Sequence, residues 1–252
     1  MCTAEQFSSS DLFDHGRHFR GKAGFVLLAS EQTIEDDMFR LFPDGVGLHF
    51  ARVASTDDIT VDQLSGLTDE LTRAAATLLP DADLDVVSYA CTSGSLVIGE
   101  DRVFSALRQG APKATPTSLI TAVINALRAL RVRKVAVATP YLDEVNLRER
   151  EYLEARGFEI TRIAGLNLKL DSEMVKVRPD RIMELAMSVD TGDSEAVFIS
   201  CGALRSIEIV EELEKKLGKP VICSNQAMAW DVLRILKIPD KINGFGALLR
   251  TL

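Results

Sequence analysis

Cysteine and histidine are scarce in this chain, which has four cysteines and three histidines among 252 residues. The cysteines are far apart, no CxxC pair occurs, and every histidine lies in the first fifth of the sequence. Disulfide frameworks and zinc sites need clustered ligands, so both are excluded, and few arrangements are left for a Ser–His or Cys–His relay. The residues concerned are Cys2, Cys91, Cys201, Cys223, His15, His18 and His49.

Long apolar runs and an excess of positive charge are also missing. No stretch approaches the roughly 18 uncharged apolar residues of a membrane-spanning helix, so no membrane association is expected. Acidic residues outnumber basic ones by 37 to 29, for a net charge of −8, which argues against nucleic-acid binding. Residues 1–20 are polar and lack the apolar core of an export signal, so we expect a polar N-terminal tail on a cytoplasmic protein.

Motifs for nucleotides and phosphates are absent as well. Neither GxGxxG nor GxxxxGK[ST] occurs, and the nearest glycine groups, at 94–99 and 244–246, lack the required spacing or the following helix. Since metal-ligand clusters are also absent, the sequence predicts a protein that needs no metal and no cofactor.

Strand-like apolar runs alternate with amphipathic helical patterns from Lys22 onward, as in βαβ units that form parallel sheets. Apolar residues recur every three or four positions from Val61 to Leu78, which predicts one helix with Thr60 and Gln63 as its capping box. A later helix is predicted to end at Leu217, before a glycine and a proline. The predicted strands are 25–29, 47–53, 86–90, 135–139, 196–200 and 220–223.

A shift of 110 residues superposes the two halves of this pattern. It places 25–29 on 135–139, and it places 86–91, which ends in Cys91, on 196–201, which ends in Cys201. Any two βαβ segments of similar size align roughly, but the matching cysteine favours a true repeat.

We therefore predict an α/β protein of two pseudo-symmetric Rossmann-like (flavodoxin-like) domains with parallel sheets. Ligands of such sheets bind at the carboxyl ends of the strands, so the active site is expected in the cleft between the domains. The predicted divisions are a tail at 1–20, a first domain at 21–117 plus 227–252, and a second domain at 118–226.

Cys91 and Cys201 each follow an apolar strand and precede small residues that we expect to begin a helix. A helix N-terminus lowers the pKa of a thiol and attracts a carboxylate. Two thiols across one cleft form an acid and base pair, in which one removes a proton from a carbon, or adds to it, while the other donates a proton on the opposite face. Racemisation, geometric isomerisation and decarboxylation are all open to such a pair. The loop N–H groups and the hydroxyls of Thr92 and Ser93 are expected to hold the substrate carboxylate, and Gly202 is a further candidate for substrate binding.

A simpler interpretation stays open for these residues. A cysteine at a strand end is often an inert core residue, and Thr92, Ser93 and Gly202 are suitable helix caps. Cys2 and Cys223 are given no role.

Polar loops follow the first strand of each half. Tyr141 comes after strand 135–139, where its hydroxyl can enter the cleft as a hydrogen-bond donor or lie on the surface. Ser30 and Glu31 occupy the matching loop of the first half, and both are candidates for substrate binding. A carboxylate at Glu31 repels a carboxylate substrate unless it is protonated or turned away.

Three segments resemble the aspartate/glutamate racemase superfamily, in its branch of maleate cis-trans isomerases and arylmalonate decarboxylases. They are ACTSGS at 90–95, ATPYLDEVN at 138–146 and the block at 199–234 that begins ISCGALRSIEIVEEL. The similarity runs from about Lys22 to the C-terminus. The segment GFVLLASEQTIEDDM at 24–38, together with CTSGS, looks closest to the ectoine-utilisation members.

The resemblance implies a cofactor-free enzyme of two domains, usually a homo-oligomer (dimer or tetramer), that acts on a small carboxylate. In maleate isomerases the residue matching Cys91 is the nucleophile, the one matching Cys201 handles the proton on the other face, and the one matching Tyr141 binds carboxylate. Arylmalonate decarboxylases keep only the second cysteine and carry glycine at the first position. Having both thiols, this chain resembles the isomerase or racemase type.

Two positions depart from the maleate isomerase pattern. Glu31 and Ser172 stand where those enzymes carry asparagines that bind the substrate carboxylates. An ectoine-related amino acid derivative with an α-carbon to epimerise is therefore the substrate hypothesis in place of maleate. Decarboxylation of the arylmalonate type, or non-catalytic binding of a small carboxylate, are the alternatives.

Overall fold

The computed structural model describes residues 12–80 and 83–252, which form two parallel four-stranded sheets. The strand orders are β2-β1-β3-β4 and β6-β5-β7-β8, so the two sheets have the same topology. The predicted α/β fold of two pseudo-symmetric halves is thereby confirmed. The strands are β1 (Gly21–Leu28), β2 (Val46–Val53), β3 (Val86–Tyr89), β4 (Thr115–Ser118), β5 (Lys134–Thr139), β6 (Glu159–Gly165), β7 (Ala196–Ile199) and β8 (Val221–Cys223).

The helices of the first half connect strands that pair in parallel. They are α1 (Ile34–Leu41), α2 (Val61–Ser65), α3 (Thr68–Ala76), α4 (Thr92–Ile98) and α5 (Glu100–Gly110). The prediction of one helix from Val61 to Leu78 was wrong, because the chain breaks at Gly66 between α2 and α3. Thr60 is the residue before α2, but its side chain makes no capping hydrogen bond, so the predicted capping box was wrong as well.

The second half repeats this arrangement with helices α6 (Leu119–Ala129), α7 (Asp143–Glu154), α8 (Asp171–Met174), α9 (Pro179–Val189), α10 (Val210–Leu217) and α11 (Ser224–Ile235). Helix α10 ends as predicted, since Gly218 adopts a left-handed conformation with φ of 66°. The sequence pattern missed two strands, β4 and β6, whose edge positions leave several of their side chains half-buried or exposed. An edge strand therefore lacks the apolar run that marks a central strand.

The two halves are joined by helices that cross between them. Helix α11 follows β8 of the second sheet but packs against α6 and contacts β3 and β4 of the first sheet. Helix α4 of the first half contacts α7 of the second. These contacts bring the carboxyl ends of both sheets to one shared interface. The numerical domain bounds stay a prediction.

The N-terminal region before β1 is tied to the other end of the chain. Arg20 donates to both carboxylate oxygens of Asp240, at 2.8 and 2.5 Å. Residues 1–11, which include Cys2 and most of the predicted polar tail, lie outside the described residues. No helix of the described chain is long and apolar enough to cross a membrane.

Gly110 lies where helix α5 packs against α3, and we expect this contact to leave no room for a side chain at that position. A Cβ atom there would lie 2.5 Å from the carbonyl oxygen of Thr72 and 2.6 Å from the Cβ of Ala75. Gly110→Ala should therefore lower the free energy of unfolding by about 1–3 kcal/mol, as overpacking does, measured by urea denaturation. Gly66→Ala is the matched control, since its nearest neighbour is a carbonyl 4.0 Å away. Equal stability of the two variants would contradict the expectation.

Candidate active site

A small cavity lies where the carboxyl ends of the two sheets meet, with an empty volume of about 270 Å³. Its walls come from the loops after β1, β2, β3, β5, β6 and β7, so both halves build it. The lining residues are Leu28, Glu31, Ile59, Ala90, Cys91, Thr92, Ser93, Tyr141, Asp171, Met174, Cys201, Gly202 and Ala203.

Cys91 lies at the N-cap of α4, immediately after the strand β3. Its Sγ accepts a hydrogen bond from the backbone N–H of Gly94 at 3.2 Å and lies 3.6 Å from the Oγ of Ser93. A helix therefore follows this cysteine, as the sequence predicts. The thiol is 8% exposed, so it is almost withdrawn from solvent.

Cys201 follows β7 at the matching place of the second sheet, but no helix begins directly after it. Residues 202–204 form a turn, a short 3₁₀ helix covers Ser206–Glu208, and α10 starts at Val210, so the prediction of a helix N-terminus at this thiol was wrong. The backbone of Cys201 has φ of 104°, a region that costs a non-glycine residue about 1–3 kcal/mol. Such strain persists only where the surrounding structure enforces it, and it is concentrated at functional sites.

Both thiols are protonated near neutral pH. Burial raises the pKa of Cys91 to about 11, although hydrogen bonds from Gly94 and Ser93 act in the other direction. Burial raises the pKa of Cys201 well above its usual value, and the negative charge of Asp171 adds to the effect. The expected lowering of the thiol pKa by helix N-termini was wrong, because desolvation outweighs the local N–H groups.

Ser224 links the two cysteine loops from the first position of α11. Its Oγ accepts the backbone N–H of Cys201 at 3.0 Å and lies 3.0 Å from the Oγ1 of Thr92. One buried hydroxyl thus connects the residue after the first thiol to the backbone of the second. The sequence analysis missed Ser224, since a serine after a strand reads as an ordinary helix cap.

The turn that carries Tyr141 is held by a local hydrogen-bond network. The Oγ1 of Thr139 donates to Oδ1 of Asn146 at 2.5 Å and accepts the N–H of Tyr141 at 3.2 Å. Tyr141 lines the cavity and is 2% exposed, so the surface alternative is excluded. Burial and the nearby Cys201 raise the pKa of the Tyr141 hydroxyl, which is therefore a neutral hydrogen-bond donor.

The turn after Cys201 is held by residues from outside the second sheet. The carbonyl of Gly202 accepts a hydrogen bond from Nδ2 of Asn225 at 2.8 Å, and the Oγ1 of Thr33 donates to the carbonyl of Ala203 at 2.9 Å. Since Thr33 belongs to the first half, the two halves jointly position this wall of the cavity.

Glu31 is the first acidic residue of the cavity. Its Oε1 accepts the backbone N–H groups of Gln32, Thr33 and Ile34 at 2.9, 2.6 and 3.1 Å. Burial, with a smaller contribution from the charge of Asp171, nevertheless raises the pKa of Glu31 to about 7. The carboxyl is therefore neither turned away from the cavity nor fully ionised.

Asp171 is a second acidic residue in the cavity, and the sequence analysis missed it. Its Oδ2 accepts a hydrogen bond from Oγ of Ser30 at 2.7 Å, so Ser30 contacts this carboxylate and does not itself line the cavity. Burial raises the pKa of Asp171. Ser172 points elsewhere, with its hydroxyl 2.5 Å from Oδ2 of Asp57. The signal in the sequence that could have identified Asp171 is an acidic residue shortly after strand β6, which the sequence pattern also missed.

The loops after β2 and β6 pair with each other over the cavity. Asp58 and Leu170 form an isolated antiparallel bridge, in which the N–H of Ile59 donates to the carbonyl of Lys169 at 2.9 Å. This bridge places Ile59 and Asp171 in the cavity wall. Contacts between the halves therefore close the cavity.

Glu149 is a buried carboxyl group on α7, outside the cavity. It is fully buried, and neither of its oxygens has a hydrogen-bond partner among the described residues. Burial raises its pKa to about 7, while the neighbouring hydroxyl of Ser200 acts in the opposite direction. Ser200 directly precedes Cys201, so this carboxyl lies near the start of the turn that carries the second thiol.

Residues 12–80 and 83–252 contain no group of three or more His, Cys, Asp or Glu side chains that is arranged to hold a metal ion. None of the cavity-lining residues is Lys, Arg or His. The chemistry that these residues offer is that of two thiols, two carboxyl groups, one phenol and the hydroxyls of Thr92 and Ser93.

Two buried thiols facing one closed cavity in a repeated α/β fold are an arrangement suited to cysteine-based catalysis. A family model described as arylmalonate decarboxylase matches residues 25–249. The maleate isomerase of Nocardia farcinica is 29% identical over 91% of this chain and 95% of its own length. The arylmalonate decarboxylase of Bordetella bronchiseptica is 29% identical over 84% of this chain and 89% of its own.

A solved structure extends the similarity to three dimensions. It is a mutant of the Nocardia farcinica maleate cis-trans isomerase with a covalently bound succinylcysteine intermediate, and it matches with a TM-score of 0.83. The identity is 28%, and the match covers 91% of this chain and 98% of the other. The chain therefore belongs to the arylmalonate decarboxylase family, an enzyme family that includes maleate isomerases.

We expect the effect of Glu149→Gln on the free energy of unfolding to be more favourable at pH 8 than at pH 5. With a folded pKa of about 7 against a usual 4.5, wild-type Glu149 keeps a proton that the unfolded chain has already lost in this window. The stability that this group contributes is thus present below pH 4.5 and is lost as the pH rises through 7. The change in the free energy of unfolding that the substitution causes should differ between pH 8 and pH 5 by on the order of 1–3 kcal/mol.

Thermal unfolding at both pH values measures this difference. Glu144→Gln on the same helix is the control, because Glu144 is exposed. A pH dependence in Glu149→Gln equal to that of the wild type would show that the carboxyl ionises freely in the fold.

Proposed function

We propose that the protein is a cofactor-independent isomerase or racemase of a small carboxylate that works with Cys91 and Cys201. The observation that carries the proposal is that both thiols line one small cavity and that each half contributes one of them. Relatives that act as maleate isomerases support the class of reaction.

In the racemase form of the reaction, one thiol first becomes a thiolate, with its proton passed to a carboxylate of the cavity. The thiolate then takes the proton from the α-carbon, and the electron pair of the broken C–H bond moves into the substrate carboxylate. The other thiol donates its proton to the opposite face of the same carbon and becomes the thiolate. The product has inverted configuration, and the two sulfurs have exchanged protonation states.

In the isomerase form, the thiolate adds to one carbon of a double bond, so that a C–S bond forms and the π bond breaks. The electron pair of the π bond takes up the proton of the other thiol at the second carbon. After rotation about the resulting single bond, the second sulfur removes that proton, the C–S bond breaks with release of the first thiolate, and the double bond returns with the other geometry. A covalently bound succinylcysteine in a maleate isomerase supports this alternative.

The remaining cavity residues serve as substrate-binding groups in this proposal. The neutral hydroxyl of Tyr141 and the hydroxyls of Thr92 and Ser93 donate hydrogen bonds to the carboxylate as it gains enolate charge. Gly202 leaves room beside Cys201. Glu31 contacts the substrate directly, whereas Ser30 holds Asp171 in place.

We propose further that the protein is a cytoplasmic homo-oligomer, a dimer or a tetramer, of two domains with the bounds predicted from the sequence. The net charge of −8 and the free cysteines Cys91, Cys201 and Cys223 support a reducing compartment. The exposed apolar side chains of Phe39, Leu147 and Met187 support contact with another copy. A role in ectoine catabolism stays a prediction.

Decarboxylation is the second candidate, and the match to the arylmalonate decarboxylase family model favours it. In this reaction carbon dioxide leaves the substrate, and a thiol protonates the carbanion that remains. Such an enzyme needs Cys201 but survives Cys91→Gly, and it releases carbon dioxide, which the isomerase does not.

Replacing each cysteine by serine separates the thiols that act from the one that does not. We expect Cys91→Ser and Cys201→Ser each to lower turnover by about 100- to 10,000-fold, because a serine hydroxyl is a far weaker acid than a thiol. The measurement is deuterium incorporation from solvent at the substrate α-carbon, followed by NMR across small amino, N-acyl and dicarboxylic acids.

Cys223→Ser is the matched control. Cys223 is buried at the N-cap of α11, where serine can keep the capping hydrogen bond, and it does not line the cavity. This variant should keep wild-type turnover. Retained activity in either of the other two variants would refute the two-thiol mechanism.

A further inference from the structure

The cavity holds two carboxyl groups and no basic side chain among its lining residues. Glu31 and Asp171 are 7% and 3% exposed, so both are more than nine-tenths buried. Their charges are close enough that Asp171 raises the pKa of Glu31. Buried carboxylates are normally paired with a cation or a full set of hydrogen bonds, and these two are not.

Glu31 occupies the position that an anionic ligand would otherwise take. Three successive backbone N–H groups at the start of α1 point at its Oε1, and such a cluster is a ready anion site. Because a carboxylate of the protein already fills it, a substrate carboxylate cannot bind there. The other oxygen, Oε2, makes no hydrogen bond with the described residues.

Asp171 resembles Glu31 in that only one of its two carboxyl oxygens accepts a hydrogen bond from residues that the structure describes. Oδ2 accepts a hydrogen bond from Ser30, whereas Oδ1 has no partner in the described part of the chain. Arg52, on strand β2, does not supply the positive charge that the two carboxyl groups lack. Arg52 pairs with the carboxylate of Glu35 and donates to the backbone carbonyl of Glu31, not to its side chain.

We propose that the substrate is a small monocarboxylate with one or more ammonium groups, of net charge zero or positive, and that Glu31 and Asp171 bind its ammonium group. This inference rests on the proposed function and names its substrate class. A dicarboxylate would bring two more negative charges into a small site that already holds two carboxyl groups and no lining cation, and like charges gathered in one site repel each other. An ammonium group instead supplies three donors for the free carboxylate oxygens.

The same ammonium group also favours deprotonation of the two thiols. In the free protein, burial and the charge of Asp171 keep Cys201 protonated, and burial keeps Cys91 protonated. A positive charge placed between the carboxylates lowers the pKa of both thiols and favours the thiolate. The substrate therefore helps to generate the base that acts on it, and an anionic substrate of equal size would do the reverse.

A series of ligands with four-carbon backbones tests the inference on the wild-type protein. Succinate, aspartate, 2-aminobutyrate and 2,4-diaminobutyrate carry net charges of about −2, −1, 0 and +1 at neutral pH. We expect the affinity, measured by calorimetry, to rise along the series, with 2,4-diaminobutyrate binding at least about tenfold more tightly than succinate. Equal or tighter binding of succinate would overturn the inference.

Neutral variants of the two carboxyl groups supply the second arm. Glu31→Gln and Asp171→Asn should each reduce the preference for 2,4-diaminobutyrate over succinate by about tenfold. Glu173→Gln should leave it unchanged, since Glu173 is an exposed residue of the same helix α8. An unchanged preference in both cavity variants would also overturn the inference, and the wild-type series decides it if a variant fails to fold.

Binding and turnover distinguish this inference from the proposed function. If ammonium compounds bind preferentially but none exchanges its α-proton for deuterium, the substrate class stands and the two-thiol function fails. If dicarboxylates bind preferentially and are converted in a Cys91-dependent reaction, the function stands and the substrate class fails.

Discussion

Desolvation of ionisable groups is the constraint on which the site depends. The two halves close over two thiols and two carboxyl groups, and no lining side chain supplies a positive charge. Every negative charge in this space is therefore costly, which explains the raised pKa values of Cys91, Cys201 and Glu31. No lining cation offsets the charge of the carboxyl groups in the free site, so its reactivity depends on what enters it.

The pseudo-symmetry of the fold is incomplete at the thiols. Cys91 begins a helix and accepts a hydrogen bond from the backbone of Gly94, whereas Cys201 lies in a strained turn with φ of 104°. The two sulfurs are thus held by different local structures, although their strands are related by the repeat. Ser224 contacts both environments, through the hydroxyl of Thr92 and the N–H of Cys201.

Family membership and the residues that line the cavity together limit the kinds of reaction and substrate to consider. The family comprises enzymes that include maleate isomerases and arylmalonate decarboxylases, and the fold of this chain is theirs. In this cavity a carboxylate of the protein itself, that of Glu31, fills a cluster of backbone N–H groups. The proposed preference for an ammonium-bearing substrate rests on this carboxyl group and on that of Asp171.

Apolar periodicity and spacing are local properties, so the α/β class, the repeat of 110 residues and the positions of Cys91 and Cys201 at strand ends could be predicted from the sequence. The loops after the strands also indicated Tyr141 and Glu31. Folding is what brings Asp171 into the cavity with the thiols and Ser224 to the backbone of Cys201, leaves Cys201 without a helix directly after it, and raises the thiol pKa values. Each of these depends on burial and on contacts between residues far apart in the chain, such as Ser30 with Asp171, which no local pattern records.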